Sequence, residues 1–164
     1  MKGLAWLLAA VVTLGCTAAH GGGRAPSPAE AADPAEYAPF LAGGDAVVEG
    51  RAFVRTRSGG THYASGFPII LDPVTSYSRR WQRAASPDDP GQAAPDSLFV
   101  QARQMAMPVE EGRFSFSGLA AGWYYVRTLV VWDDGSFALQ YYVLRDSVLA
   151  QAGRSVSMVL TRVR

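Results

Sequence analysis

The segment Gly112–Val126, GRFSFSGLAAGWYYV, carries the pattern that most limits what this chain can fold into. Phe114 and Phe116 alternate with Arg113, Ser115 and Ser117, a glycine-containing corner follows, and alternation resumes at Tyr124 and Val126. Successive side chains of a strand point to opposite faces, so a period of two buries the two Phe rings together and wets their neighbours. At the corner, Gly118 lets the chain bend, Leu119 drops back into the core, and Gly122 supplies a positive φ for entry into the next strand. The unit reads strand, corner, strand, and its role is structural.

The same rhythm runs through most of the chain beyond Gly44. Val48, Gly50, Ala52 and Val54 alternate with Glu49, Arg51, Phe53 and Arg55, and Ser58-Gly59-Gly60 then turns the chain. YASGFPIILDP predicts a second strand, with Pro68 confined to a strand start, an edge or a bulge because it lacks an N–H. Ser97 to Met107 is a third candidate and Arg113 to Ser117 a fourth. Gly122 to Asp133 is the longest, and Asp134-Gly135 predicts a hairpin into Ser136 to Arg145. Arg154 to Arg162 closes the set. No stretch shows a helical period strong enough to compete. About seven short strands separated by turns predict an all-β chain folded as one β-sandwich. A span of that length supplies enough large apolar side chains for one stable core.

The pattern G-x-F-x-F-x-G-L-x-x-G-x-Y-x-V, set by Gly112, Phe114, Phe116, Gly118, Leu119, Gly122, Tyr124 and Val126, resembles the prealbumin-like (transthyretin-like), carboxypeptidase regulatory-like domains. VVEGRAFVRTRSGG and GFPIILDPVT are similar to that family's opening strand, its Gly-rich turn and its following strand. The resemblance covers about Ala46 to Leu160. Ala120 stands where the corner usually carries Pro, and Val109 where Asp is frequent, with Glu110 and Glu111 adjacent. The resemblance implies an Ig-like sandwich that serves as an accessory module and says little about what it binds.

The N-terminus reads as an export signal. Met1 and Lys2 precede the apolar run Leu4–Leu14, about eleven residues, which is short of the roughly 20 that a membrane-spanning helix needs. Thr13-Leu14-Gly15-Cys16 resembles the bacterial lipobox, whose Cys is lipidated and becomes the new N-terminus. Thr13 replaces the usual Leu or Val, with Val12 just before it. Cys16 is the chain's one cysteine, so lipidation would leave no free thiol in an exported domain. Ordinary cleavage after Ala19 is the alternative, giving a soluble periplasmic or secreted protein. With Thr17 rather than Asp after the Cys, the resemblance implies an outer-membrane lipoprotein facing the periplasm. Residues 16–44, rich in Ala, Gly and Pro, predict a flexible tether with an end-to-end distance of roughly 25–30 Å. PAEYAPFL within it could instead form a helical turn that docks Tyr37, Phe40 and Leu41. The expected organisation is therefore a signal peptide over 1–15, a tether over 16–44 and a sandwich over 45–164.

Fifteen basic and fourteen acidic residues leave a net charge of +1, so no bulk positive charge drives nucleic-acid binding. No His or Cys pair has zinc spacing, neither Asp88-Asp89 nor Asp133-Asp134 spaces its carboxylates as a calcium loop does, and no phosphate-cradling motif occurs. No metal or other cofactor is predicted. His20 lies in the tether. His62 could serve a hydrolase only with a serine that no nucleophile-elbow motif marks, which is the least favoured reading. Two segments could bind a ligand. In SYSRRWQR, Tyr77, Arg79, Arg80, Trp81 and Arg83 combine aromatic rings with guanidinium groups that stack on sugars or grip carboxylates. The bland reading is that Trp81 covers the end of the sandwich. The Pro-rich stretch Ala84–Asp96 is the other, an exposed loop. Phe53, Trp123 and Tyr125 could form an outer contact patch or pack under the tether. The expectation is a non-catalytic envelope module held to the membrane by lipid and engaging an envelope protein, with glycan or peptidoglycan binding through the Trp81 region as the alternative.

Overall fold

The computed structural model describes residues 31–84, 94–135 and 138–163. The signal segment, Cys16, His20, the start of the tether and most of the Ala84–Asp96 loop lie outside them. Among the described residues, eight strands form two sheets: β1 (Ala46–Arg55), β2 (Thr61–Tyr63), β3 (Ile69–Pro73), β4 (Gln104–Ala106), β5 (Arg113–Leu119), β6 (Gly122–Trp132), β7 (Gln140–Ala150) and β8 (Ser155–Val163). In the first sheet β1 is central. Parallel β8 runs along one edge from Val47 to Arg55; antiparallel β5 and β2 share the other, β5 against Ala46–Arg51 and β2 against Phe53–Arg55. The second sheet is antiparallel, in the order β4-β3-β6-β7.

The inner faces pack as the alternation requires. Val48, Ala52 and Val54 of β1 meet Tyr124, Val126 and Val130 of β6, with Phe114, Phe116 and Leu119 filling the core from β5. Gly118 has φ +71°, a left-handed bend that most side chains resist. Tyr124, which follows the corner, donates its phenolic O–H to the Ala120 carbonyl at 3.0 Å. Burial of this phenol pushes its pKa up to about 12. Pro68 sits just before β3, and its carbonyl accepts from Thr128 Oγ1 at 3.0 Å.

Among the described residues there are three helices: α1 (Pro34–Ala42) takes up the helical alternative for PAEYAPFL, whereas α2 (Ser76–Ala84) and α3 (Ser97–Ala102) correct the expectation that no other stretch is helical. The third predicted strand is mostly helix α3, capped by Asp96, whose carboxylate accepts from Leu98 N; only Gln104–Ala106 is extended. Of the predicted second strand, Ile69–Pro73 is β3, and Tyr63 is the last residue of the separate β2. The β6–β7 connection runs from Trp132 to Gln140 rather than closing in a two-residue turn.

Helix α1 lies inside the stretch read as tether and is packed from its first turn. Asp33 caps it, Pro34 sits at its start, and Tyr37 is completely buried among Ala32, Tyr77, Phe99 and Ala102. Thr75 Oγ1 donates to Tyr37 Oη at 2.7 Å, and Ser76 N donates to Glu36 Oε2 at 2.7 Å. Phe40 meets Tyr124 edge to face at 5.4 Å. A side chain at Gly122 would collide with that ring, its Cβ lying 2.9 Å from Phe40 Cε1. Docking by Tyr37 and Phe40 follows the alternative reading of this segment, while Leu41 stays exposed. The three helices thus form a small second core beside the sandwich.

Candidate functional site

Helix α2 places the predicted binding residues. Tyr77 and Trp81 are four apart, so they share one helix face, and that face is turned inward. Trp81 stacks on Tyr77 at 6.3 Å and lies 5.9 Å from Phe99. Tyr77 is buried, and its Oη accepts from Asp96 N at 2.8 Å. Tyr77 is buried in the small helical core and Trp81 packs against it, rather than covering the end of the sandwich. The guanidinium of Arg80 lies 6.0 Å over the Tyr77 ring, and Arg83 Nε donates to the Arg79 carbonyl at 3.2 Å. Arg79 also lines a shallow groove of about 330 Å³ with Glu36, Phe40 and Ser76. The segment keeps its cations at the surface but spends its aromatic rings on the core.

Phe53, Trp123 and Tyr125 do not form one patch. Phe53 lies on the outer face of the first sheet, edge-on to Tyr63 at 5.9 Å, whereas Trp123 and Tyr125 lie on β6 of the second.

A larger concavity opens at one end of the sandwich, where the β1–β2 turn meets the β6–β7 connection. Its volume is about 660 Å³, and Thr56, Arg57, Ser58, His62, Trp132, Asp134 and Gln140 line it. The turn side is rigidly built. Thr56 N donates to the Gly60 carbonyl at 2.9 Å, Gly60 N donates to Thr56 Oγ1 at 3.0 Å, and the Thr56 and Ser58 hydroxyls are hydrogen-bonded at 2.9 Å. That ring of bonds holds Arg57 and Ser58 at the rim. Opposite, Gly135 N donates to Asp133 Oδ1 at 2.8 Å and shapes the approach of Asp134. The floor is aromatic, because His62 stacks on Trp132 with centroids 4.9 Å apart and planes 19° off parallel.

This arrangement is suited to holding a polar ring-shaped ligand. With Trp132 buried beneath it, the His62 ring is the aromatic surface left for the apolar face of a sugar, while guanidinium, carboxamide, carboxylate and hydroxyl groups around it match ring hydroxyls as donors and acceptors. The volume lies in the range of small-molecule sites. Among the described residues, no cluster of three His, Cys, Asp or Glu could hold a metal. Sequence reasoning marked both turns as turns but had no signal that they share one end, so Arg57, Trp132 and Gln140 went unnoticed.

Neither the protein-family models nor the curated proteins include a match to this chain. Among solved structures it is similar to a crystal structure of a "putative carbohydrate binding protein" from Pseudomonas aeruginosa. The TM-score is 0.65 at 22% identity, over 80% of this chain and 97% of that one. At that identity the likeness carries the fold alone.

Proposed function

We propose that this chain is a non-catalytic carbohydrate-binding module of the bacterial envelope and that the end cleft is its binding site. The observation that carries the reading is the stacked His62–Trp132 floor ringed by Arg57, Ser58, Asp134 and Gln140. The description given to the Pseudomonas aeruginosa structure supports the same class of ligand. The glycan alternative raised from the sequence is thereby preferred, with its seat moved from the Trp81 helix to the end cleft. The corner at Gly118–Gly122 supports placing the domain with the carboxypeptidase regulatory-like, prealbumin-like sandwiches. A lipid on Cys16 would hold it within a few tens of ångströms of the outer membrane, raising its effective concentration toward glycans there.

A second reading, a protein-interaction module, draws on one feature. Strand β8 pairs only with β1 among the described strands and exposes Val159 and Val163, an edge to which a partner strand could add.

The test is retention of the full chain on a panel of immobilised envelope polysaccharides, including peptidoglycan. Retention is expected for the parent and reduced at least tenfold in R57A and H62A, both folded by circular dichroism. Retention of the parent by none of the glycans, or retention unchanged in both variants, would overturn the cleft reading. Capture of an envelope protein that R57A and H62A retain but a proline substitution in β8 abolishes would favour the second.

A further inference from the structure

The outer face of the second sheet carries a charge imbalance that the fold leaves unresolved. Asp72 lies on β3 and is completely buried. Arg103, just after α3, takes both of its oxygens, donating Nε to Oδ1 at 2.6 Å and Nη2 to Oδ2 at 3.3 Å. The same guanidinium lies 4.9 Å over the Phe99 ring. One carboxylate and one planar fork satisfy each other there.

Arg127 is the second cation at this carboxylate, and it is poorly placed. Its Nε is 3.5 Å from Asp72 Oδ2, yet that nitrogen is buried without a hydrogen bond. The side chain is still 32% exposed. Burial lowers its pKa from the ordinary arginine value, Asp72 opposes that shift, and the charges of Arg103 and Arg145 add to it.

Arg145 is the third cation on this face, beside Arg127 rather than at the carboxylate. It is the cross-strand partner of Arg127 in the β6–β7 ladder, so two like charges stand directly opposite each other, a pairing that destabilises a sheet. Arg145 is exposed and forms no ion pair with any described residue. Its neighbour Asp146 belongs to the other face by alternation, and Asp146 Oδ1 accepts from Ser147 N at 2.7 Å. Two guanidinium groups thus compete for one carboxylate, and a third stands opposite the more poorly placed of them.

We infer that Arg127 and Arg145 form a subsite for a carboxylate-bearing saccharide on the outer face of the β6–β7 ribbon. A uronate carboxylate laid across the pair would meet planar donors of matching geometry and relieve their repulsion. The flanking rows suit the rest of a sugar chain. Tyr125 faces Ser147 on one side of the pair, and Leu129 faces Val143 and Val131 faces Tyr141 on the other. Tyr141 is 65% exposed. The ribbon ends at Trp132 and Gln140, which line the end cleft. Trp132 belongs to the opposite face of the ribbon by alternation, so the arginine pair is a place separate from the end cleft. The inference rests on the carbohydrate reading and adds the charge of the ligand to it.

The experiment compares galacturonate and glucuronate oligosaccharides with their methyl esters, which keep the sugar and remove the charge. Titrated into the full chain, the acids are expected to bind at least tenfold more tightly than the esters. R145Q should erase that preference, and R145K should retain part of it, since a point charge remains but the fork is lost. Equal affinity for acid and ester, or a preference unchanged in R145Q, would overturn the subsite while leaving the carbohydrate reading intact. Equally tight binding of a poly-glutamate peptide would overturn it as unselective attraction of anions. If no glycan of any charge binds, the carbohydrate reading itself falls. Because Arg145 is exposed, R145Q should fold, and its circular dichroism spectrum checks this.

Discussion

At the level of single residues, Asp72 joins stability to the surface above it. Its carboxylate is held by Arg103 and lies within ion-pair distance of Arg127, so a neutral amide would leave two partly buried guanidinium groups without their counter-charge. Breaking a buried pair from one side costs about 3–5 kcal/mol. Because both arginines keep some exposure, D72N is expected near the low end, about 3 kcal/mol, read as a shift in the urea unfolding midpoint. R145Q should behave oppositely. It removes a like-charge contact and no ion pair, so its stability should stay within about 0.5 kcal/mol of the parent or rise slightly. A loss of stability in R145Q as large as that in D72N would mean that Arg145 serves the fold. Little of this was legible in the sequence. Phe114, Phe116 and Leu119 could be placed inside because their burial follows from neighbours one or two positions away. Asp72 reads as the end of a strand before a proline, since Arg103 and Arg127 are brought to it only by tertiary packing.

Among the elements, the long strands were readable and the short helices were not. β1, β5 and β6 alternate over seven or more residues, enough for a period of two to declare itself. Helix α3 has six residues, fewer than two turns, and within SLFVQA the large residues mimic a strand. Asp96 before that segment was the available signal of a helix start. For α2 the signal was Tyr77 and Trp81 at a spacing of four, which a strand would put on one face as well. Helix α1 matters most here, because it shows that residues from Asp33 onward belong to the folded body. Removing its buried ring should therefore be costly. Tyr37→Ala deletes a fully buried aromatic side chain and the acceptor of the Thr75 hydroxyl, and a loss of about 3–4 kcal/mol is expected. Leu41→Ala, on the exposed side of the same helix, should change stability by less than about 1 kcal/mol. Thermal unfolding of the two variants makes the comparison. Equal and small effects would mean that α1 only rests on the surface and that the tether extends to residue 44.

For the molecule as a whole, the two cores should fail together at alkaline pH. Tyr37 lies in the helical core and Tyr124 in the sandwich core, and burial pushes both phenols up to about 12 from an ordinary value of 10.0. The Thr75 hydroxyl partly offsets the rise at Tyr37. In the unfolded chain each phenol loses its proton near pH 10, whereas in the folded chain it keeps it to about 12. Between those values the native state binds more protons, so raising the pH favours unfolding. The contribution of each phenol is fully present below pH 10 and is lost as pH climbs toward 12, on the order of 2–3 kcal/mol apiece. Phenolate absorbance followed alongside far-ultraviolet circular dichroism should show part of the tyrosine signal rising only as the β-sheet signal collapses. In Y37F/Y124F that late absorbance step should disappear and the collapse should move to higher pH. If the late step belonged to one ring alone, with Y37F removing all of it and Y124F none, the helical layer would be opening while the sandwich stayed closed. The coupling expected here has a physical path, because Phe40 of α1 packs edge-on against Tyr124 across the corner at Gly122.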